Sequence, residues 1–191
     1  MEGFLDSVIA NRRSTILFDD MVVTNDQLYK IIDAGRQAPS AKNRQPWTFY
    51  VLKGEQKNAI GEMLEQYCKK YSDPNSDMYE GSALRSSNVI RAADTLILCY
   101  VENHVQRNWT MDLLSVGACI QNMLLKATEL GLGTLWLGDI VFSINNEINE
   151  MIGESQRLIA GICVGGVKTP RRLQDKKTMQ DIIKGGGEYV F

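Results

Sequence analysis

One histidine, His104, stands in the whole 191-residue chain. With no second histidine and no cysteine beside it, a zinc site or a Cys–His or Ser–His catalytic pair has little support. Cysteine is sparse too: Cys68, Cys99, Cys119 and Cys163 lie far apart in apolar segments. They form neither a CxxC pair nor a disulfide framework, so reduced thiols in a cytoplasmic protein are expected. Neither sign of charge dominates, since 21 Lys and Arg face 23 Asp and Glu for a net charge of -2. That balance offers no general attraction to nucleic acid or anionic lipid, and any bound anion must be held by a local cluster. Long hydrophobic runs are missing. The longest uncharged apolar-rich stretch, Leu113 to Leu125, falls well short of the roughly 20 residues that span a bilayer. The opening Met1-Glu2-Gly3-Phe4-Leu5-Asp6 is acidic and does not read as a signal peptide. The expectation is a protein with no membrane, nucleic-acid or metal partner. If it is an enzyme, it borrows its chemistry from a cofactor.

What is present suits one domain over residues 1–191, with 44% hydrophobic residues. Phe4, Leu5, Val8 and Ile9 recur at helical spacing and run into Arg12-Arg13-Ser14. Thr24 and Gln27 form a capping-box pattern ahead of a helix carrying Leu28, Ile31 and Ile32, ended by Pro39. Trp47 to Leu52 reads as a strand and Glu55 to Lys70 as a helix. Tyr71 to Gly81 reads as a polar loop, Leu84 to Ala92 as a short helix, and Thr95 to Val101 as a buried strand. Thr110 to Leu130 is a long helix, apolar around most of its circumference, so it needs cover on nearly all sides, and a second subunit is a natural cover. Thr134 to Leu137 is a strand, Ile144 to Ile152 a helix, Leu158 to Val164 a buried strand, and Thr178 to Lys184 helical. Alternating strands and helices lean, by pattern alone, toward a parallel doubly wound sheet. No strand here feeds a GxGxxG turn, however: Gly131-Leu132-Gly133 follows a helix and precedes a strand, the reverse of the dinucleotide arrangement.

Three separated segments carry the chemistry. The first is Arg12-Arg13-Ser14, with Phe18 beyond. The second is Ala38-Pro39-Ser40-Ala41-Lys42-Asn43-Arg44-Gln45-Pro46-Trp47. The third runs from Gly117-Ala118-Cys119-Ile120-Gln121-Asn122 through Leu130 to Gly138. Together, in this order and spacing, they resemble the nitroreductase family, whose pattern Pro-Ser-x-x-Asn-x-Gln-Pro-Trp precedes a strand. Lys176 to Ile183 is similar to the family's ending. The resemblance implies an α+β three-layer fold, with a mostly antiparallel central sheet flanked by helices. It also implies an obligate homodimer with exchange of the C-terminal tail, and FMN sites lined by both chains.

Each segment also reads physically. A flavin mononucleotide ends in a phosphate dianion, which needs several charge-assisted donors to replace its water. Arg12 can supply a planar fork and Ser14 a hydroxyl, while Arg13 either does one of these jobs or faces solvent, unless the triplet merely ends a helix where cations suit the dipole. The basic run Lys168-Thr169-Pro170-Arg171-Arg172 with Lys176-Lys177 can complete a clamp through Arg172 or Lys176, or remain a solvated tail. Pro39 fixes the backbone, and Ser40 offers an N–H and a hydroxyl. Ala41 completes that turn. Asn43 and Gln45 stand just before a buried strand, where an unpaired amide costs roughly 1–3 kcal/mol.

By resemblance, the backbone around Leu135, Trp136, Leu137 and Gly138 lies beside the flavin, with Leu137 and Gly138 near N5. No side chain acts as nucleophile. The resemblance implies that NADH or NADPH reduces the flavin and that a nitroaromatic, quinone or similar small-molecule acceptor reoxidises it, in ping-pong order. Acceptor choice is expected to reside between Tyr67 and Trp109, including Tyr71, Tyr79 and His104. One departure stands out: two residues after Ser14 the family commonly has Lys or Arg, and here it is Ile16. Arg85 and Arg91 are the candidate substitutes. A carrier or sensor without turnover, or a specialised reaction such as reductive dehalogenation, are the competing readings.

Overall fold

The computed structural model describes residues 3–71, 79–102 and 108–183. Its elements follow from the local signals in order. The helix-spaced apolar residues near the start form α1 (Phe4–Asn11). The Thr24–Gln27 pair opens α2 (Asn25–Arg36) as a reciprocal cap. Gln27 N–H donates to Thr24 Oγ1 at 3.2 Å, and Thr24 N–H donates to Gln27 Oε1 at 2.9 Å. A 3-10 turn at Ala41–Asn43 leads to β1 (Trp47–Lys53), α3 (Gly54–Tyr71), α4 (Tyr79–Ala92) and β2 (Thr95–Val101). The long apolar helix is α5 (Trp109–Glu129), followed by β3 (Gly133–Leu137), α6 (Asp139–Ser143), α7 (Asn145–Ile152), β4 (Arg157–Gly165) and α8 (Met179–Ile182). Two differences from the sequence expectation concern helices. The backbone of α4 begins at Tyr79 rather than Leu84, and α6 forms where no helix was anticipated.

The four strands lie in the order β1-β2-β4-β3, every neighbouring pair antiparallel. This corrects the parallel sheet suggested by alternation and agrees with the arrangement the resemblance implied. The reason is a matter of parity. Two helices, α3 and α4, separate β1 from β2, and two more, α6 and α7, separate β3 from β4. A pair of helices returns the chain to the end of the sheet it left, so the next strand runs backward. Only α5 makes a single crossover, from β2 to β3, and β4 inserts between those two.

Both faces of the sheet are covered, giving three layers. In β2, Leu96, Leu98 and Tyr100 face one way into a core with Ile60 and Leu64 of α3, Ile90 of α4 and Ile140 of α6. Ile97, Cys99 and Val101 face the other way, onto Ile31 of α2 and Val116, Ile120 and Met123 of α5. This is why residues 96–101 are apolar and the whole strand is buried. Burial pushes the Cys119 and Cys163 thiols up to about 12, which leaves them as packing groups.

A polar network closes the end of the sheet near β4's start. Tyr50 donates to Glu154 Oε2 at 2.6 Å, and Glu154 Oε1 accepts the N–H groups of Ser155 and Gln156 at 2.7 and 2.9 Å. The Tyr50 hydrogen bond, followed by the backbone donors, holds the Glu154 carboxyl below its ordinary range despite some burial. A carboxylate depressed in the folded state stabilises fully above its unfolded pKa. That contribution fades as pH falls through the folded value. Glu154→Gln is therefore expected to lower the urea midpoint most at neutral pH, with the gap to wild type closing on acidification. Parallel midpoint-against-pH curves for the two proteins would contradict this.

Candidate functional site

Arg12 leaves α1 in an extended conformation, its own N–H still donating to Val8 O at 3.0 Å. The chain then runs beside β3: Ser14 bridges Thr134 in parallel, and Thr15 N–H donates to Thr134 O at 2.7 Å. This close approach requires a glycine at 133. A Cβ there would stand 2.6 Å from Thr15 Oγ1. After β4 the chain returns along the same segment, with Phe18 bridging Val167 and Lys168 N–H donating to Leu17 O at 3.1 Å. The basic tail is thereby laid against the end of α1. Arg13 fastens it there, donating through Nη1 to Arg171 O at 2.9 Å and through Nε to Asn11 O at 3.1 Å.

The result is a cleft of about 460 Å³ lined by Arg12, Arg13, Ser14, Arg171, Arg172 and Lys176, together with apolar side chains. Among the described residues no carboxylate lines it. Among the described residues, Arg12, Arg172 and Lys176 have no ion-pair partner. Arg13 takes a fastening role that the sequence did not suggest. Arg172 and Lys176 both line the cleft.

The second segment is a built turn. Ser40 Oγ accepts Gln45 N–H at 3.0 Å, and Asn43 N–H donates to Ser40 O at 2.9 Å. Its inner side faces α5, where Ala41 N–H donates to Ser115 Oγ at 3.2 Å. Arg44 donates through Nε and Nη2 to Asp112 Oδ1 at 3.0 and 2.7 Å. The expectation that Asn43 and Gln45 are buried amides is corrected: both are exposed, as is Pro39, while Ser40 and Ala41 are half-buried. Asn43 and Gln45 take left-handed backbone, φ 55° and 49°, which turns their side chains outward. The Arg44–Asp112 pair was missed. Its members are 68 residues apart, and only an acid in α5's first turn hints at it.

In the third segment, Leu135 is half-buried, Trp136 exposed, Leu137 buried and Gly138 exposed. A Cβ at Gly138 would meet only Phe142, at 3.6 Å. Just beyond, Asp139 accepts from Ser82 at 3.2 Å and from Ser86, which ties α4 to this corner.

Ile16 is half-buried and packs against the core that includes Ile60 of α3 and Ile90 of α4. Arg91 is engaged elsewhere, with Glu65 at 2.6 Å and Asn88 at 2.9 Å; Arg85 is exposed on α4. Trp109 lies under the Arg157 guanidinium, 4.4 Å from its ring centroid, at the same end of the sheet as Trp47. Tyr71 is exposed. His104 and the Tyr79 side chain lie outside the described residues.

The two polar segments of one chain are far apart. The register aligns Lys53, Thr95, Val164 and Thr134 in one row, with Ser14 beyond, while Trp47 sits six residues away along β1. Four strand spacings and six residues of strand put Ser14 and Trp47, the strand residue that follows the Ser40 turn, roughly 28 Å apart in a flat sheet. Three fused rings with a five-carbon chain and a phosphate do not reach across that distance.

Among the described residues no group of three His, Cys, Asp or Glu could hold a metal, and no helix is long and apolar enough to cross a membrane. A family model described as "Nitroreductase family" matches residues 9–166. YdjA of Escherichia coli (strain K12), which carries the name NAD(P)H nitroreductase, is 30% identical over 131 residues, covering 68% of this chain and 69% of YdjA. Among solved structures, a nitroreductase with bound FMN from Desulfitobacterium hafniense DCB-2 superposes with a TM-score of 0.79 at 23% identity, covering 98% of this chain and all of that one (100%). The FMN and NADPH-dependent nitroreductase NfnB from Sphigopyxis sp. strain HMH gives a TM-score of 0.80 at 18% identity, covering 97% and 100%.

Proposed function

The chain belongs to the nitroreductase family, and from that membership we propose that it is a homodimeric, FMN-dependent oxidoreductase. It moves reducing equivalents from NADH or NADPH to a nitroaromatic, quinone or similar small acceptor. The observation that carries this reading is the cleft where Arg12, Ser14, Arg172 and Lys176 converge with no carboxylate among them. A cluster of unpaired cations around a cleft of this size suits a phosphate dianion. Arg13 holds the tail in place so that Arg172 and Lys176 stand opposite Arg12.

The ring system would meet the other two segments. The exposed side-chain amides of Asn43 and Gln45, on the turn that also holds Pro39, Ser40 and Ala41, would face it from one chain. Leu135, Trp136, Leu137 and Gly138 offer backbone at a sheet edge, where Gly138 allows close approach. Because the Ser40 turn and the Arg12 cleft of one chain lie too far apart for one FMN, the turn of a second copy would complete each site. Exposed Met111 and Leu114 on α5 and Phe4, Leu5 and Ile9 on α1 support such a contact. In this reading residues 1–191 act as one FMN-binding domain, with the C-terminal tail exchanged between the two subunits.

Bound FMN supplies a two-electron carrier that takes hydride from a nicotinamide and delivers it to the acceptor. The chain's own residues bind, orient and shield; none needs to serve as nucleophile, and the buried thiols at 119 and 163 are unsuited to it. The purified protein is expected to be yellow, to hold about one FMN per chain, and to consume NAD(P)H with a quinone. A loaded protein that leaves NAD(P)H untouched would instead be a carrier or sensor. A protein that refuses FMN sinks the reading.

A further inference from the structure

Three residues of the Ser40–Gln45 turn stand in the left-handed region although none is glycine: Lys42 (φ 55°), Asn43 (φ 55°) and Gln45 (φ 49°). That conformation crowds Cβ against the backbone of an L-residue. Such a concentration persists only where surrounding contacts over-determine it. Here the contacts come from one stretch of helix. Asp112, in the first turn of α5 and 1% exposed, accepts both Nε and Nη2 of Arg44 on a single oxygen. Ser115, nearly one turn later, accepts Ala41 N–H and donates to Met111 O at 2.7 Å. The other carboxylate oxygen of Asp112 is buried with no partner among the described residues.

A buried ion pair with an unsatisfied oxygen is a poor device for stability, since a packed apolar pair serves as well. What this pair supplies is a fixed place for Arg44, and with it the backbone from Ala41 to Gln45. We infer that Asp112 is a positioning residue for the ring end of the flavin. Acting through Arg44, it holds the Ser40–Gln45 turn in the left-handed form that presents Asn43 and Gln45. The inference rests on the FMN reading above and adds a residue on a helix that touches no part of the phosphate cleft.

The test compares FMN with riboflavin, which shares the ring and ribityl chain but lacks the phosphate. Both are titrated by fluorescence into flavin-free full-length protein. Asp112→Asn is expected to weaken both by the same factor, at least about tenfold, and to alter the visible circular dichroism of the bound flavin. Arg12→Ala is expected to weaken FMN alone. Arg44→Lys keeps the charge but loses the fork, so it should weaken both flavins less than Asp112→Asn does. Should Asp112→Asn fail to fold, Arg44→Lys carries the test by the same equal-factor criterion. Wild-type affinity for both flavins in these variants, or a loss confined to FMN, overturns the inference while the FMN reading stands. Wild-type protein that takes up neither flavin overturns the FMN reading itself, and the inference with it.

Discussion

Arg12→Ala is expected to weaken FMN binding about 10- to 150-fold, the loss of one charged hydrogen bond of about 1.5–3 kcal/mol. Several features of the cleft set the size of that effect. Arg12 is half-buried at the end of α1 and free of any carboxylate among the described residues, so its donors are available to a ligand. Arg172 and Lys176 stay in place after the substitution, because the tail is fastened by Arg13 and not by Arg12. The loss should therefore be partial, and it should deepen when Lys176→Ala is added. With no native contact broken, the flavin-free protein should unfold within about 0.5 kcal/mol of wild type. Raised salt should weaken FMN binding in wild type more than in the variant, since fewer partly exposed cations then face the phosphate. Equilibrium titration across ionic strengths checks all of this. Unchanged affinity would remove Arg12 from the site.

Much of this arrangement is legible in the residues themselves, and the illegible parts have physical causes. Thr24 and Gln27 announce the start of α2, because a reciprocal cap is a local event of four residues. The unbroken apolar run of 96–101 announces a strand covered on both faces. Strand direction is not local. It depends on whether one helix or two intervenes, and the break between α6 and α7 leaves no strong signal in Asp139–Ile152. Asn43 and Gln45 stand before a strand whose composition suggests burial, but β1 is half-buried along most of its length. Their left-handed backbone is imposed by Arg44 reaching Asp112, a contact across 68 residues that no window of sequence contains. The Arg12 cleft fares better. Its two halves are each basic runs, and what the sequence lacked was only the bridging of Phe18 to Val167 that brings them together.

On the homodimeric reading proposed above, Leu114→Glu is expected to separate the subunits and, with them, the flavin. Leu114 is 62% exposed in the isolated chain, and with Met111 at 48% it forms an uncovered apolar stripe along the outer side of α5. The inner side of the same helix is spent on the core through Val116, Cys119, Ile120 and Met123. Between them, Gly117 has nothing within 4 Å of where a Cβ would stand, so its surface is open to a close neighbour. A carboxylate introduced into a contact on that stripe loses its water without gaining a partner. At about 3–5 kcal/mol for an unpaired buried charge, the dimer dissociation constant should rise by roughly two to three orders of magnitude or more. Because Leu114 lies outside the core of its own subunit, the monomer should keep its helical circular dichroism. Sedimentation velocity would then show a folded monomer, and the FMN titration would show loss of affinity in proportion to dissociation. That coupling is the sharper part of the test: the Arg12 cleft of each chain is untouched by the substitution, so its emptying can come only through removal of the partner's Ser40 turn. A folded monomer that still holds FMN at wild-type affinity would show that one chain makes a complete site.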